Sequence, residues 1–349
     1  MGSKLRWTIP VGIAAAAVAA SAVVPALTAG ADAALPAVSA QQLLSRTLAS
    51  DVDTFSGTVR TEADLGIPAL PQSVRSSDLS SLLTGTGTMR VAKSGADKQR
   101  LSVLGSNSER TYLRDGRTAW MYDSAERKAV RTTLPQRDDR QRHEQASPDQ
   151  AAKRILAELG DDSDVSVGRA GEVAGRDAYE LVVEPKSAES LVGSVQVSID
   201  AKTWMPLGLT VLPDGSADPA IDVAFSELSY AEPAADTFEF DPPKGTKVER
   251  RTAQAGDHDR KPKQARKHGH HGEPSWTKVV ELGDRGSKPT GEASAYLKQL
   301  RAAGTRVTGE YGSGTMIRSR LVTLLVLDDG RMFAGAVTPS AVERAAANA

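Results

Sequence analysis

Hydrophobic and polar residues alternate with a period of two along much of the chain between Phe55 and Phe240. Such alternation is typical of β-strands that bury one face and expose the other. Short polar turns, such as Asp115-Gly116, separate the segments of the first block. This spacing predicts an antiparallel meander with strands at FSGTVRTEAD, GTMRVA, QRLSVLG, RTYLRD, RTAWMYD and KAVRTT.

A second block of alternating segments runs from Val165 to Phe240. Its apolar positions fall in groups spaced by two, which predicts four or more further strands. Residues 200–203 (DAKT) are the predicted turn between two of these strands, and residues 241–243 (DPP) close the block.

Two helices are predicted where the period changes to 3.6. Ser39 and Gln42 form a capping-box pattern ahead of Leu43 and Leu44, and this helix is expected to end near Ser50. Residues 147–150 (SPDQ) open the second helix with a cap residue followed by proline at the first helical position, and Gly160 ends it.

The last 75 residues predict a smaller unit of strands and helices. Its strands are WTKVVEL, TMIRSRLVTLLVL and RMFAGAV, the last two joined by a tight turn at residues 328–330. One helix is expected from about Glu292 to Ala303, with Tyr296, Leu297 and Leu300 facing inward, and a short one after Thr338. The apolar run from 321 to 327 predicts a strand covered on both faces.

The segment from Thr246 to Pro274 is nearly devoid of apolar residues and predicts a linker. Between 247 and 272 it has eight Lys/Arg and three acidic residues, a local charge of about +5 in a chain of net charge −1. Three interpretations stay open: a basic tether to anionic lipid or wall polymer, a solvated linker, and a weak metal site at residues 267–271 (KHGHH).

The N-terminus has the layout of a secretory signal. Lys4 and Arg6 precede an apolar stretch from Ile9 to about Leu27, and small residues follow at 29–33. Pro10 and Pro25 weaken the stretch as a membrane anchor, which favours cleavage over retention. The mature protein is therefore expected outside the cytoplasm, in the cell envelope, where nucleotide cofactors are absent.

Composition and chemistry narrow the function. The chain has no cysteine, which excludes disulfides and thiolate catalysis, and its net charge gives no general attraction to nucleic acid. Of its five histidines, four lie in the predicted linker and His143 lies in a highly charged loop. The glycines of residues 309–314 (GEYGSG) do not bracket a serine at nucleophile-elbow spacing. We therefore expect that the protein is not an enzyme and that it holds neither a metal ion nor a cofactor. A hydrolase with a carboxylate site is the weakest of the functional hypotheses.

The order of these elements resembles the LolA-like group of envelope proteins, closest to the exported type of high-GC Gram-positive bacteria. The segments that carry the resemblance most specifically are residues 175–181 (GRDAYEL) and the strand–turn–strand around Asp200 to Pro206. Lipoprotein carriers and RseB/MucB-type stress regulators share this fold. A Gram-positive envelope has no outer membrane, so the resemblance supports the fold and an apolar cavity more than transport between membranes.

The resemblance implies an α+β protein whose incomplete antiparallel β-barrel wraps over helices. The expected domains are a signal peptide or anchor at 1–33, the LolA-like half-barrel at 35–243, a basic His-rich linker at 244–274 and a small α+β unit at 275–349. The residues that could line its cavity are Met89, Val91, Leu101, Val103, Trp120, Tyr122, Leu181, Val183, Val195, Val197, Trp204, Leu207 and Leu209. Ordinary core packing is the competing interpretation for each of them.

Two functions follow from this fold. The first is a non-catalytic carrier or sensor that holds the acyl chains of a lipid or lipoprotein in an apolar cavity. The second is an RseB/MucB-like regulator that contacts a membrane protein such as an anti-sigma factor. In both cases we expect a monomer that binds no nucleic acid.

Overall fold

The computed structural model describes residues 35–66, 85–105, 107–135, 162–253, 275–282 and 292–349. The predicted signal segment, the predicted helix at 147–160 and most of the predicted linker lie outside these residues. Within the described ranges the chain forms two β-sheets, three α-helices and one turn of 3₁₀ helix.

The larger sheet has thirteen strands in the described part of the chain, in the order β13-β6-β5-β4-β3-β2-β1-β12-β11-β10-β9-β7, with β8 also paired to β9. Its terminal strands, β13 and β7, do not pair with each other, so the sheet is open, and it is antiparallel except at one edge. The open, sheet-rich architecture that the sequence predicts is thereby confirmed. The strands are β1 (Thr54–Ala63), β2 (Gly85–Ser94), β3 (Lys98–Leu104), β4 (Glu109–Asp115), β5 (Thr118–Asp123), β6 (Lys128–Thr133), β7 (Ser163–Val167), β8 (Gly171–Val173), β9 (Arg176–Pro185), β10 (Val192–Asp200), β11 (Pro206–Pro213), β12 (Ile221–Ser229) and β13 (Lys247–Thr252).

Helix α1 (Ala40–Ala49) lies on one face of this sheet. The Ser39 hydroxyl accepts from the Gln42 amide at 3.2 Å, and the Gln42 side chain accepts from the Ser39 amide at 3.0 Å. This confirms the predicted capping box. Leu43 and Leu44 are buried against residues of β7, β9 and β10. We call this side of the sheet the helix-side face; its wrapping over further helices stays a prediction.

Alternation assigns the remaining strands to the two faces. In β1, Phe55, Val59 and Ala63 are buried, whereas the intervening Arg60 and Glu62 are exposed. Residues that are paired across neighbouring strands share a face of the sheet. Strand β1 pairs with β12, β12 with β11, β11 with β10, and β10 with β9. Followed along this path, the buried residues of β1 lie on the helix-side face.

After β12 the chain crosses the opposite face of the sheet. A 3₁₀ turn, Ala235–Phe238, buries Phe238 there, and the Arg100 guanidinium donates to the Thr237 carbonyl at 3.1 Å. The crossing brings the chain beside β6, where β13 pairs in parallel.

The start of the predicted linker is therefore corrected. The sequence predicted a linker from residue 244, but Lys247–Thr252 is the edge strand β13. Main-chain hydrogen bonds to β6 hold this edge strand in place without apolar side chains. Glu249 adds an ion pair to Lys128 at 3.1 Å. A segment with few apolar residues can therefore form a strand at the edge of a sheet.

The smaller sheet has the order β14-β18-β17-β16-β15. Helices α2 and α3 cover its two faces: Leu300 of α2 packs on Val326, and Val342 of α3 packs on Leu325. This confirms that the apolar run ending at Leu327 is covered on both sides. The elements are β14 (Val279–Leu282), α2 (Glu292–Ala303), β15 (Thr305–Gly309), β16 (Gly312–Arg318), β17 (Thr323–Leu327), β18 (Met332–Gly335) and α3 (Pro339–Ala347).

One strand prediction in this unit was wrong. The segment TMIRSRLVTLLVL is two antiparallel strands, β16 and β17. Ser319 forms the turn between them: its hydroxyl accepts from the amides of Leu321 and Val322, and its own amide donates to the Val322 carbonyl at 2.8 Å. Leu321 in this turn is apolar because it is buried against the larger sheet and not within its own. The hydrophobic run therefore continues through the turn, and the pattern does not indicate where β16 ends.

The two sheets are in direct contact. Leu321 packs against Val192 of β10 and against Ala220, which directly precedes β12. The Leu191 amide donates to the Ala336 carbonyl at 2.9 Å. The indole of Trp276 donates to the Ser163 hydroxyl at 2.6 Å, so the contact combines apolar packing with main-chain and side-chain hydrogen bonds.

Candidate functional site

The structure divides the predicted cavity residues into groups. Leu181, Val183 and Val197 are buried in the core beneath α1, with Val195 and Leu209 packed at its margin. Leu207, two residues before Leu209 on β11, is 1% exposed. These six side chains lie on the helix-side half of the sheet, where they are buried or partly buried in the described structure.

A second group lies on β2 and β3. Val91 pairs with Leu101, and Met89 pairs with Val103, so these four side chains share the helix-side face. Val91, Leu101 and Val103 are only partly buried. The row continues through Tyr112 on β4 to Met121 on β5, which is 36% exposed. We define the apolar strip as Met89, Val91, Leu101, Val103 and Met121.

Polar residues border the apolar strip on two sides. Beyond Val103 lies Arg110, which is ion-paired to Asp123 at 2.7 Å. Beyond Val91 lies a row of Lys93, Gln99 and Arg114 on adjacent strands. The strip is therefore a partly exposed apolar surface with a polar rim.

Trp120 and Tyr122 lie apart from the other candidates. The register of β4 with β5 places both on the face opposite α1. Each ring centroid lies 5.3 Å from that of Phe240, in the segment that crosses this face. The sequence pattern cannot reveal this contact because Phe240 is far away in the chain.

Trp204 closes the turn after β10. Its φ of 62° lies in the left-handed region, which is strained for a bulky residue, and its ring stacks on Tyr179 with centroids 5.5 Å apart. The guanidinium of Arg46 in α1 lies 4.5 Å from the indole centroid. Trp204 thus joins the turn to β9 and α1, away from the apolar strip.

The two motifs that carry the family resemblance meet at one buried carboxylate. Asp200, 1% exposed, accepts from Arg176, from Tyr230 at 3.1 Å, and from the amides of Lys202 and Thr203 at 2.8 Å each. Burial alone would raise the pKa of Asp200, but the hydrogen bonds from Arg176 and the two amides outweigh it and hold the pKa below its ordinary value.

These contacts give Asp200 a structural role. Burial raises the pKa of the Tyr230 phenol, and the charge of Asp200 adds to this effect. Tyr230 donates to Asp200 and is within 2.8 Å of the Thr203 hydroxyl, so the turn is tied to the end of β12. The motif residues therefore hold the turn in place.

Two open hollows, each of about 430 Å³, lie on the face opposite α1. Polar residues dominate their lining, and no sequence signal singled them out beyond the polar positions of alternating strands. The lining includes Arg60, Glu62, Thr88 and Asp222 in one hollow, and Thr58, Arg90, Arg100 and Glu227 in the other.

Among the described residues, no group of three or more His, Cys, Asp or Glu is placed to hold a metal ion. Likewise, none of the helices in that part of the chain is both long and apolar enough to span a bilayer. The linker histidines and His143 lie outside the described ranges.

No protein-family model and no curated protein sequence matches the chain. The MucA/MucB complex of Pseudomonas aeruginosa is similar over 88% of this chain and 96% of that chain, at 15% identity and a TM-score of 0.45. A MucB crystal structure is similar at 19% identity and a TM-score of 0.37; the match covers 58% of this chain and spans 62% of that one. A LolA superfamily protein from Nitrosomonas europaea matches 58% of this chain and 99% of that chain, at 14% identity and a TM-score of 0.25. The structural neighbours thus include MucB and LolA superfamily proteins.

Proposed function

We propose that this protein is an exported, non-catalytic carrier or sensor of hydrophobic groups, which binds the acyl chains of a lipid or lipoprotein. The observation that supports this function is the apolar strip on β2, β3 and β5, with its partly exposed side chains and polar rim. Each methylene that such a surface removes from water contributes about 0.8 kcal/mol, so a chain of about ten methylenes contributes roughly 8 kcal/mol before the entropic cost of binding.

A fluorescent fatty-acyl probe tests this function. Leu101→Gln places an amide in the middle of the apolar strip and is expected to weaken probe binding at least tenfold. Leu104→Gln is the matched control, because Leu104 is partly buried on the same strand but faces the opposite side. Circular dichroism checks that both variants fold.

Three results would contradict the proposal: no uptake of the probe by the wild-type protein, equal effects of the two variants, and no lipid in native mass spectra of protein purified from its own envelope. The last measurement also identifies the ligand.

A second candidate function is an RseB/MucB-like regulator that contacts a membrane protein. The observation that favours it is the docked second sheet, whose edge strand β14 exposes Val280 and Leu282 at 45% and 43%. Pull-downs from envelope extracts should lose a specific membrane partner with the variant Val280→Lys/Leu282→Lys. Val322→Lys is the control, since Val322 is 38% exposed in the same unit but away from that edge. An unchanged partner list in all variants would exclude this function for the edge.

A further inference from the structure

Thr61 occupies an unusual position beside the apolar strip. It lies on β1 between Val59 and Ala63 on the helix-side face and is 3% exposed. Among the described residues, its Oγ1 is the buried side-chain polar atom with no hydrogen-bond partner. A buried hydroxyl without a partner is destabilising, and other buried hydroxyls here are bonded, such as that of Thr111 to Ser102 at 3.1 Å.

The neighbouring strand presents no side chain at the two positions closest to this hydroxyl. On β2, the residue paired with Thr61 is Gly87 and the residue paired with Ala63 is Gly85. The helix-side positions of β2 therefore run from the apolar Val91 and Met89 to two residues without side chains. The strip therefore approaches Thr61 on the helix-side face, where Met89 occupies the diagonal position on β2.

We propose that Thr61 donates a hydrogen bond to the carbonyl oxygen at the polar end of a bound acyl chain, so that the ligand is an acyl ester or acyl amide and not a plain hydrocarbon. This inference rests on the proposed function and makes it more specific. The hydroxyl is a donor, the ester carbonyl is an acceptor without a donor of its own, and their pairing removes the cost of the unbonded hydroxyl.

Competition against the fatty-acyl probe tests the role of Thr61. The competitors are methyl dodecanoate, N-methyldodecanamide and n-pentadecane, linear molecules with equal numbers of heavy atoms. The wild-type protein should prefer at least one carbonyl compound over pentadecane by about fivefold to tenfold. The ester and the amide distinguish a lipid ester from an amide-linked lipoprotein chain as the source.

Thr61→Val keeps the shape of the side chain and removes the hydroxyl, so it should abolish this preference while pentadecane binds as before. Thr61→Ser should retain the preference. Thr111→Val is the matched control, because its hydroxyl is buried but bonded on the opposite face. A preference that is absent in the wild type or unchanged in Thr61→Val overturns the role of Thr61 alone; if no competitor and no probe binds, the proposed function fails with it.

Discussion

Asp200 shows how one residue organises the surrounding chain. Its carboxylate is buried at the end of β10 and accepts hydrogen bonds from Arg176, Tyr230 and two turn amides. Hydrogen bonds to a charged group contribute about 1.5–3 kcal/mol each when broken singly, more than neutral ones. The carboxylate therefore stabilises the turn and anchors β9 and β12 to it.

We expect Asp200→Asn to lower the free energy of unfolding by about 2–3 kcal/mol near neutral pH, since a neutral amide loses the charge-assisted bond to Arg176. The pKa of Asp200 is lowered in the folded protein, so its contribution is present above the ordinary carboxyl value of 3.8 and is lost as the pH falls through the folded pKa. Urea unfolding should show this loss below about pH 4 in the wild type and not in the variant.

Asp177→Asn is the control for this measurement. Asp177 is exposed in the same motif, one residue from Arg176, and the substitution should change stability by less than about 0.5 kcal/mol. Equal effects of the two substitutions would contradict the role assigned to Asp200.

At the level of elements, local signals specify structure best where the partners are neighbours in the chain. The capping box of α1 forms as the sequence predicts because both hydrogen bonds join residues three apart. The β16–β17 turn escaped prediction, because the apolar Leu321 in it packs on a distant strand.

Removal of the α1 cap gives a test at this scale. Ser39→Ala leaves a first-turn amide without its partner and should lower the free energy of unfolding by about 1 kcal/mol. Thermal or urea denaturation measures the change. Ser45→Ala, within the same helix, should be neutral or slightly stabilising because alanine favours helix interiors. A neutral Ser39→Ala would show that the cap contributes nothing measurable.

At the level of the whole molecule, Arg320 joins the two sheets. Its guanidinium donates to the carbonyls of Asp64 at 3.2 Å, Pro219 at 3.0 Å and Asp218 at 2.5 Å, and it pairs with the Asp64 carboxylate at 3.1 Å. Its backbone amide donates to the Leu65 carbonyl at 3.0 Å. The turn that carries Arg320 therefore docks on loops at the ends of β1 and β11.

Arg320→Ala should loosen this contact without unfolding either sheet, because the apolar packing of Leu321 remains. We expect amide hydrogen exchange to accelerate in residues 319–323 and 64–66 while the centres of both sheets keep their protection. Arg318→Ala, an exposed arginine at the end of β16, is the control and should leave these rates unchanged. Unchanged exchange in Arg320→Ala would mean that Leu321 and the main-chain bonds hold the sheets together unaided.

The sequence by itself determined the features that depend on local periodicity: alternating strands, the capped helix α1, and the buried run of β17, because side-chain direction follows directly from spacing along a helix or strand. Only the tertiary structure decided that Trp120 and Tyr122 face away from the apolar strip, that Lys247–Thr252 is a strand, and that Thr61 is buried without a partner. Each of these depends on which distant segment covers a residue, and alternation along one strand carries no information about that segment.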